Sequence, residues 1–303
     1  YEGYYNEIVT LDKELTVLGE NKTTTVIDGN KIKDVVKITA DNCSLCGFTV
    51  KNGGSGYASV KIYEGKNANV SGNIIDGYNY GVFIDHSSCV NHTSGALVAG
   101  NSISSGSSNN AICIKSSSYN TIMNNAVYSR DETICLHSAS NYNYIVDNNI
   151  RAHNKGIELQ YAANYNHIEG NDIAAESPGN YYAYGIYLED SSNNILSKNK
   201  VTASADRYAY DIYLKRAADN IISKNKVFSS HLAWNQWGIY LTKSSNNEIS
   251  NNIAWDNDVG IVITSSSSSN IISGNDVHSN TGDGIYIRSS ENTITGNTIR
   301  ENK

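Results

Sequence analysis

Apolar and polar residues alternate along this chain in short runs, and the runs return at regular intervals. In GIYLEDSSNNILSKNKV (185–201), Ile186 and Leu188 alternate with Tyr187 and Glu189, a polar stretch follows, and Ile195 opens another apolar run. Nearly the same text recurs as DIYLKRAADNIISKNKV from Asp211 and GIYLTKSSNNEISNNI from Gly238. GIVITSSSSSNIISGNDV from Gly260 and GIYIRSSENTITGNTI from Gly284 continue it. Period-two alternation predicts strands, and repetition at this length predicts a solenoid. Each repeat carries two Asn-led segments, as in Asn166-His167-Ile168 followed by Asn171-Asp172-Ile173. These Asn residues mark sharp turns, where left-handed backbone geometry and side-chain bonding to the backbone are tolerated. The expected fold is all-β: a single-stranded right-handed parallel β-helix with three strands per rung and rungs ~4.8 Å apart.

Residues 1–303 are expected to form one elongated domain, with capping rungs over 1–60 and regular rungs over 61–303. Ile157 and Leu159, Ile186 and Leu188, Ile212 and Leu214, Ile239 and Leu241, and Ile285 and Ile287 should point inward as core columns. The column Asn143, Asn166, Asn194, Asn220, Asn247, Asn270 and Asn292 should form a structural amide ladder. Its spacings of 23, 28, 26, 27 and 23 residues from Asn143 to Asn270 show that three consecutive rungs carry extra residues. The additions fall before the opening strand of each repeat, at 174–184, 202–210 and 228–237. Stacked at one corner, they should wall a groove, because insertions into a repeat map to loops on one face.

Composition narrows the function classes. The chain has 24 Gly, 22 Tyr, one Pro and one Met, and a formal charge of −7. That charge speaks against sequence-independent nucleic-acid binding, which needs a basic face. No run approaches the ~18 apolar residues of a membrane helix, so membrane insertion is not expected. The start at Tyr1 has the look of a processed or trimmed chain. Asn-x-Ser/Thr sequons at Asn21, Asn42, Asn69 and Asn91 lean slightly toward an extracellular or cell-surface location. The five cysteines (43, 46, 89, 113, 135) make no disulfide framework, and Cys43-x-x-Cys46 lacks the second pair of a zinc site. They read as small hydrophobes or free thiols, and no cofactor or metal is expected.

Outward positions of the opening strand give two columns. One runs Phe83, Cys113, Cys135, Glu158, Tyr187, Tyr213, Tyr240, Val262, Tyr286; the other runs Asp85, Lys115, His137, Gln160, Glu189, Lys215, Thr242, Thr264, Arg288. Aromatic and ionisable residues thus concentrate on the rungs with insertions, which add Tyr184, Tyr210, Trp234, Trp237 and His231. Taken singly, each has an ordinary explanation as cross-strand stacking or a solvated ion pair. Taken together, flat rings with convergent polar groups suit sugar recognition. Two chemistries stay open. In hydrolysis, Glu158, with no neighbouring cation, would be the acid and Glu189, beside Lys215, the base or nucleophile, their Cβ atoms about 8 Å apart. In β-elimination from a uronate, Arg207 or Lys215 would neutralise the carboxylate while His137, His231 or a tyrosine takes the adjacent proton, with Asp206 close by.

The opening YEGYYNEIVTLDKELTVLGENKTTTVIDGN, the later DVVKITADNCSLCGFTVKNGG and the Asn-x-Ile repeats together resemble the carbohydrate-binding and sugar-hydrolase β-helix family of archaeal surface proteins. Its Asn- and Tyr-rich character is most similar to the β-helix part of archaeal disaggregatases. The resemblance implies a pectate-lyase-like solenoid and degradation of an acidic, uronate-containing cell-surface heteropolysaccharide, and it designates no catalytic residues. Other members resemble periplasmic copper-processing proteins, whose metal handling calls for clustered His, Met or Cys; one Met and scattered His speak against that here. No cluster of Asp suits the calcium of a lyase. The expectation is an extracellular polysaccharide-cleaving enzyme, with a non-catalytic carbohydrate-binding or surface-layer module as the alternative and a catalytic domain elsewhere as a third.

Overall fold

The structure, a computed structural model, describes residues 1–86, 95–106, 110–229 and 235–303. Among them every regular element is a β-strand, and no helix is long and apolar enough to cross a membrane. The chain divides into two compact units, Tyr1–Ile150 and Arg151–Lys303. Each is a parallel β-helix in which the chain visits three sheets in turn, so every strand pairs with strands one rung away.

In the first unit the second sheet runs Val9–Leu11, Val36–Ile38, Ala58–Tyr63, Tyr80–Asp85, Ile112–Lys115, Glu132–His137. In the second unit it runs Lys155–Gln160, Tyr182–Glu189, Tyr208–Lys215, Asn235–Thr242, Val259–Ile263, Ile285–Ile287. The alternation read from the sequence is realised here. Ile157, Ile186, Ile212 and Ile239 are fully buried, as are Leu159, Leu188, Leu214 and Leu241. Burying each is worth roughly 1.5–3 kcal/mol. Ile285 and Ile287 are only half-buried.

The Asn column is a ladder of buried amides. Asn194 Oδ1 accepts from both Asn166 N (2.8 Å) and Asn166 Nδ2 (3.1 Å), and Asn220 Oδ1 serves Asn194 in the same way at 2.8 and 3.2 Å. A second ladder turns the next corner through Asn171, Asn199, Asn225, Asn252 and Asn275. The left-handed residue of each turn is the one before the ladder Asn: Tyr165 (φ 57), Asn193 (φ 58) and Asp219 (φ 57) at the first ladder, Lys198 (φ 56) and Lys224 (φ 58) at the second. The ladder Asn therefore fixes the turn from its neighbour, satisfying the backbone groups that the corner leaves without sheet partners.

The three insertions stack in register, as Tyr182↔Tyr208↔Asn235 and Ala183↔Ala209↔Gln236. They do not form the expected loop wall where they are described. Instead they lengthen strands: Asp172–Ser177 and Lys200–Ala205 in the first sheet, and the three eight-residue strands from Tyr182, Tyr208 and Asn235 in the second. The reason is a small core of their own. Ala152, Ala175, Ala183, Ala203, Ala205 and Ala209 pack together, and residues this small let the two added layers close on each other.

Candidate functional site

Strict alternation fails at one point in each long strand of the second unit, and that failure builds the outer face. In Tyr182–Glu189, Ala183 and then both Gly185 and Ile186 turn inward, so Tyr184 and Tyr187, three residues apart, share the outer side. An added Cβ at Gly185 would lie 2.1 Å from Val201 Cγ1 and 2.6 Å from the Asp211 carbonyl oxygen, so the inward slot takes no side chain. The same step recurs at Gly156, Gly238 and Gly260, where an added Cβ would meet a neighbour at 2.4, 2.5 and 2.4 Å. In Tyr208–Lys215 the position is Asp211, which is buried. Asp211 Oδ1 accepts from Ala203 N at 2.7 Å, while Oδ2 has no partner. Burial pushes this carboxyl well above its ordinary range.

The slip places two aromatic columns side by side. Tyr184, Tyr210 and Trp237 stack at 5.2 and 4.7 Å; in the other column Tyr187 and Tyr213 stack at 5.5 Å, and Tyr240 packs tilted by 56° against Tyr213 at 5.3 Å. The columns touch at Tyr184–Tyr187 (5.0 Å), Tyr210–Tyr213 (4.7 Å) and Trp237–Tyr240 (5.4 Å). Tyr182 and Tyr208, on the same inserted segments, extend the plate at its margin. Burial first, then nearby tyrosines and Glu189, hold the Tyr184, Tyr187 and Tyr210 phenols far above their ordinary range and push Tyr213 up to about 12. These phenols stay protonated, which removes them as proton-abstracting bases.

The two glutamates keep the predicted register, with Glu158 opposite Tyr187 and Gln160 opposite Glu189. Their surroundings differ from expectation. Glu158 is 1% exposed and bonded at 2.5 Å to Lys155, whose ammonium also lies 5.2 Å from the Tyr187 ring centre. The expectation of no neighbouring cation fails because period-two counting puts residues three apart on opposite faces, whereas the slip at Gly156 puts Lys155 and Glu158 on one. Glu189 accepts from Tyr187 OH (2.7 Å) and Gln160 Nε2 (3.3 Å) and pairs with Lys215 (2.8 Å) and Arg216 (2.6 Å). Burial raises its pKa, but the bonds from Lys215, Tyr187 and Arg216 outweigh that and bring it to about 2. A carboxylate so held is ionised at ordinary pH and is a weak base.

In a ladder, each ring covers the faces of its neighbours, so only rings at the end of a column offer a face to a ligand. Both columns end at the same rung. Trp237 pairs with Val259 and Tyr240 with Val262. Beyond them opens a cleft of ≈540 Å³, lined by Trp237, Tyr240, Val259 and Val262, with Tyr286 across and Thr242, Thr264, Ser265, Asp283 and Arg288 around it. A second cleft of ≈460 Å³ lies at the margin of the plate, lined by Asp206, Arg207, Tyr208 and Asn235. Arg207 sits over the Tyr181 ring at 4.6 Å and Asp206 Oδ1 accepts from Gly179 N at 3.1 Å. His231 and Trp234 lie outside the described residues. The outward columns had already exposed the cleft's signal, since Tyr240 gives way to Val262 before Tyr286.

His137 belongs to the first unit. There its ring nitrogen and the sulfurs of Cys113 and Cys135 lie within 4.8 Å of one another. Cys113 and Cys135 pair across adjacent strands, with Lys115 opposite His137. Both cysteines are buried.

The fold and its outer face define a class: a parallel β-helix with an aromatic outer face and open clefts beside it. The chain belongs to the NosD family, described as periplasmic copper-binding protein, whose model matches residues 6–202 and 176–303. No curated protein sequence matches it. Among solved structures it is similar to the catalytic domain of a GH87 alpha-1,3-glucanase in complex with nigerose (TM-score 0.67, 14% identity, 98% of this chain and 63% of that one). It is also similar to the Azotobacter vinelandii mannuronan C-5 epimerase AlgE4 A-module (0.59, 12%, 96% and 81%). A third similar structure is the periplasmic alginate epimerase AlgG (0.55, 14%, 94% and 77%). At these identities the likeness is one of fold.

Proposed function

We propose that this chain is an extracytoplasmic carbohydrate-active β-helix that takes a polysaccharide along the outer face of its second unit. The observation that carries this is the abrupt end of both aromatic columns at Trp237 and Tyr240, which leaves ring faces on a cleft with an apolar floor and a polar rim. Sugars present apolar C–H faces edged by hydroxyls, and such a cleft answers both. A uronate-containing polymer is the substrate class, because Arg288 lines this cleft and Arg207 the one at the margin. The β-helix neighbours that act on alginate and on alpha-1,3-glucan support the carbohydrate reading by fold analogy alone.

Cleavage of the disaggregatase kind, by hydrolysis or by β-elimination, is the finer proposal. The pairing of Glu158 as acid with Glu189 as base draws no support from the geometry, since the first is sealed in an ion pair and the second is held ionised by cations. This favours non-catalytic binding as the second reading. Retention on a uronate-rich polymer tests recognition: Trp237→Ala should weaken it about tenfold, the loss expected for about 1.4 kcal/mol of ring contact. Unchanged retention would overturn the assignment of the cleft. Polymer shortening, followed together with the absorbance of an unsaturated uronate, separates hydrolysis, elimination and binding alone.

The family description also names copper. The soft donors that copper(I) prefers are thiolate and imidazole, and Cys113, Cys135 and His137 fit that requirement.

A further inference from the structure

We propose that the first unit carries a second carbohydrate contact, a site for the carboxylate of a uronate residue, made by Lys37 and Lys61 at the rings of Tyr63 and Phe83. The two lysines lie opposite one another on adjacent strands of the second sheet, in the outward column that continues to Phe83. Strands in a sheet are about 4.8 Å apart, so two ammonium-bearing side chains rise side by side from one face. Like charges directly opposite each other destabilise a sheet. Neither ammonium has an ion pair among the described residues. On the same sheet of the other unit, by contrast, Lys155 is paired with Glu158 and Lys215 with Glu189.

Aromatic rings gather the two charges. Lys37 Nζ lies 5.0 Å from the centre of the Tyr63 ring and Lys61 Nζ 5.5 Å from it, and Lys61 Nζ is also 5.3 Å from the centre of the Phe83 ring. A ring quadrupole attracts a cation without cancelling its charge. Tyr80 packs on Phe83 at 5.1 Å and extends the apolar border. Lys37, Lys61, Tyr63 and Phe83 are all half-buried, so the group is confined against the sheet while part of it stays open to solvent. Two carboxylates lie near Tyr63. Glu64 accepts from the Tyr63 hydroxyl, and Asp85 follows Tyr63 in the neighbouring column, with Lys115 next after it.

A carboxylate answers this arrangement. Its two oxygens accept from the two ammoniums, which relieves their repulsion, and such charge-assisted bonds are roughly twice as strong as neutral ones. Lysine reads charge as a compact point rather than as a planar fork, so the rings must supply the shape. A pyranose carrying the carboxylate brings an apolar C–H face to Tyr63 and Phe83. In a chain of formal charge −7, a half-buried pair of neighbouring cations is a local exception that a ligand anion would relieve. The inference rests on the carbohydrate reading above, and it adds a contact that the cleft beyond Trp237 and Tyr240 does not supply.

The test uses the full chain, reductively methylated with isotope-labelled formaldehyde, which keeps every lysine cationic and gives each a methyl signal in NMR spectra. The Lys37 and Lys61 signals are identified by their loss in Lys37→Arg and Lys61→Arg. Oligogalacturonate should shift both and leave those of the exposed Lys22 and Lys226 in place. The methyl-esterified oligomer, the same ring without the charge, should shift neither. In unmethylated protein, Lys37→Gln combined with Lys61→Gln should weaken retention on polygalacturonate about tenfold, a loss of about 1.4 kcal/mol, with circular dichroism checking the fold. Both signals should still move in Trp237→Ala. Stationary Lys37 and Lys61 signals, with retention still sensitive to Trp237→Ala, would overturn this site and leave the cleft standing; stationary signals with retention indifferent to Trp237→Ala would overturn both. Dextran sulfate shifting the two signals as strongly as oligogalacturonate would overturn the assignment to a carboxylated sugar.

Discussion

Val262→Tyr separates a structural aromatic ladder from a binding site. Val262 lies in register between Tyr240 and Tyr286, in the column that carries Tyr187 and Tyr213 three and two rungs earlier. Existing rings in that column pack on one another at 5.5 Å, stacked, and 5.3 Å, tilted. A tyrosine at 262 would therefore continue the stack and gain contacts on two sides, each worth roughly 0.5–1.5 kcal/mol. Ordering the new side chain opposes this by about 1 kcal/mol. Stability should thus stay within about 1 kcal/mol of the parent or rise, while the new ring covers the Tyr240 face and fills part of the ≈540 Å³ cleft. Retention on a uronate-rich polymer, measured by affinity electrophoresis, should fall at least tenfold, a loss of about 1.4 kcal/mol. Thermal unfolding of the same preparation reports the fold. A Val262→Tyr protein that is stable and still binds like the parent would refute the argument that exposed ring faces at the column ends make the site.

Glu189→Gln should destabilise the second unit by about 1–2 kcal/mol at pH 7, a value discounted because Lys215 and Arg216 are more than one-third exposed. Since the folded carboxyl is lowered to about 2, its stabilising effect is complete above an ordinary glutamate pKa and is lost as pH falls toward 2; thermal midpoints of parent and variant should converge there, and a constant gap would contradict the assignment. Asp211→Asn should act in the opposite direction. The folded carboxyl is raised, so the parent loses stability as pH climbs above the ordinary aspartate range, and the variant should unfold at higher temperature at pH 7 but show no advantage near pH 3. Asn220→Ala removes the acceptor of Asn194 N and Nδ2 and the donor to Ala218 O, leaving buried polar groups without partners. It should cost about 2–4 kcal/mol, seen as faster amide exchange at the adjoining rungs, and unaltered exchange would show that the ladder is not needed there.

The sequence by itself determined the solenoid, its three strands per rung, the inward Ile and Leu columns, the Asn ladder and the register of the outward columns, because each follows from local alternation repeated at a fixed interval. It also placed the insertions at one corner. Their conformation needed the tertiary structure: alanines at 175, 183, 203, 205 and 209 pack against one another across two layers, and that contact makes strands of residues whose sequence reads as loop. Period-two counting could not reveal the slip at Gly185, which is set by the crowding of Val201 and the Asp211 carbonyl around the position. The Lys155–Glu158 pair, the twin aromatic columns and their shared end at Trp237 and Tyr240 follow from that slip and its repeats at Gly156 and Gly238. Likewise, Cys113, Cys135 and His137 are dispersed along the chain and adjacent in space, because a rung of the helix returns the backbone to within one strand spacing of where it began.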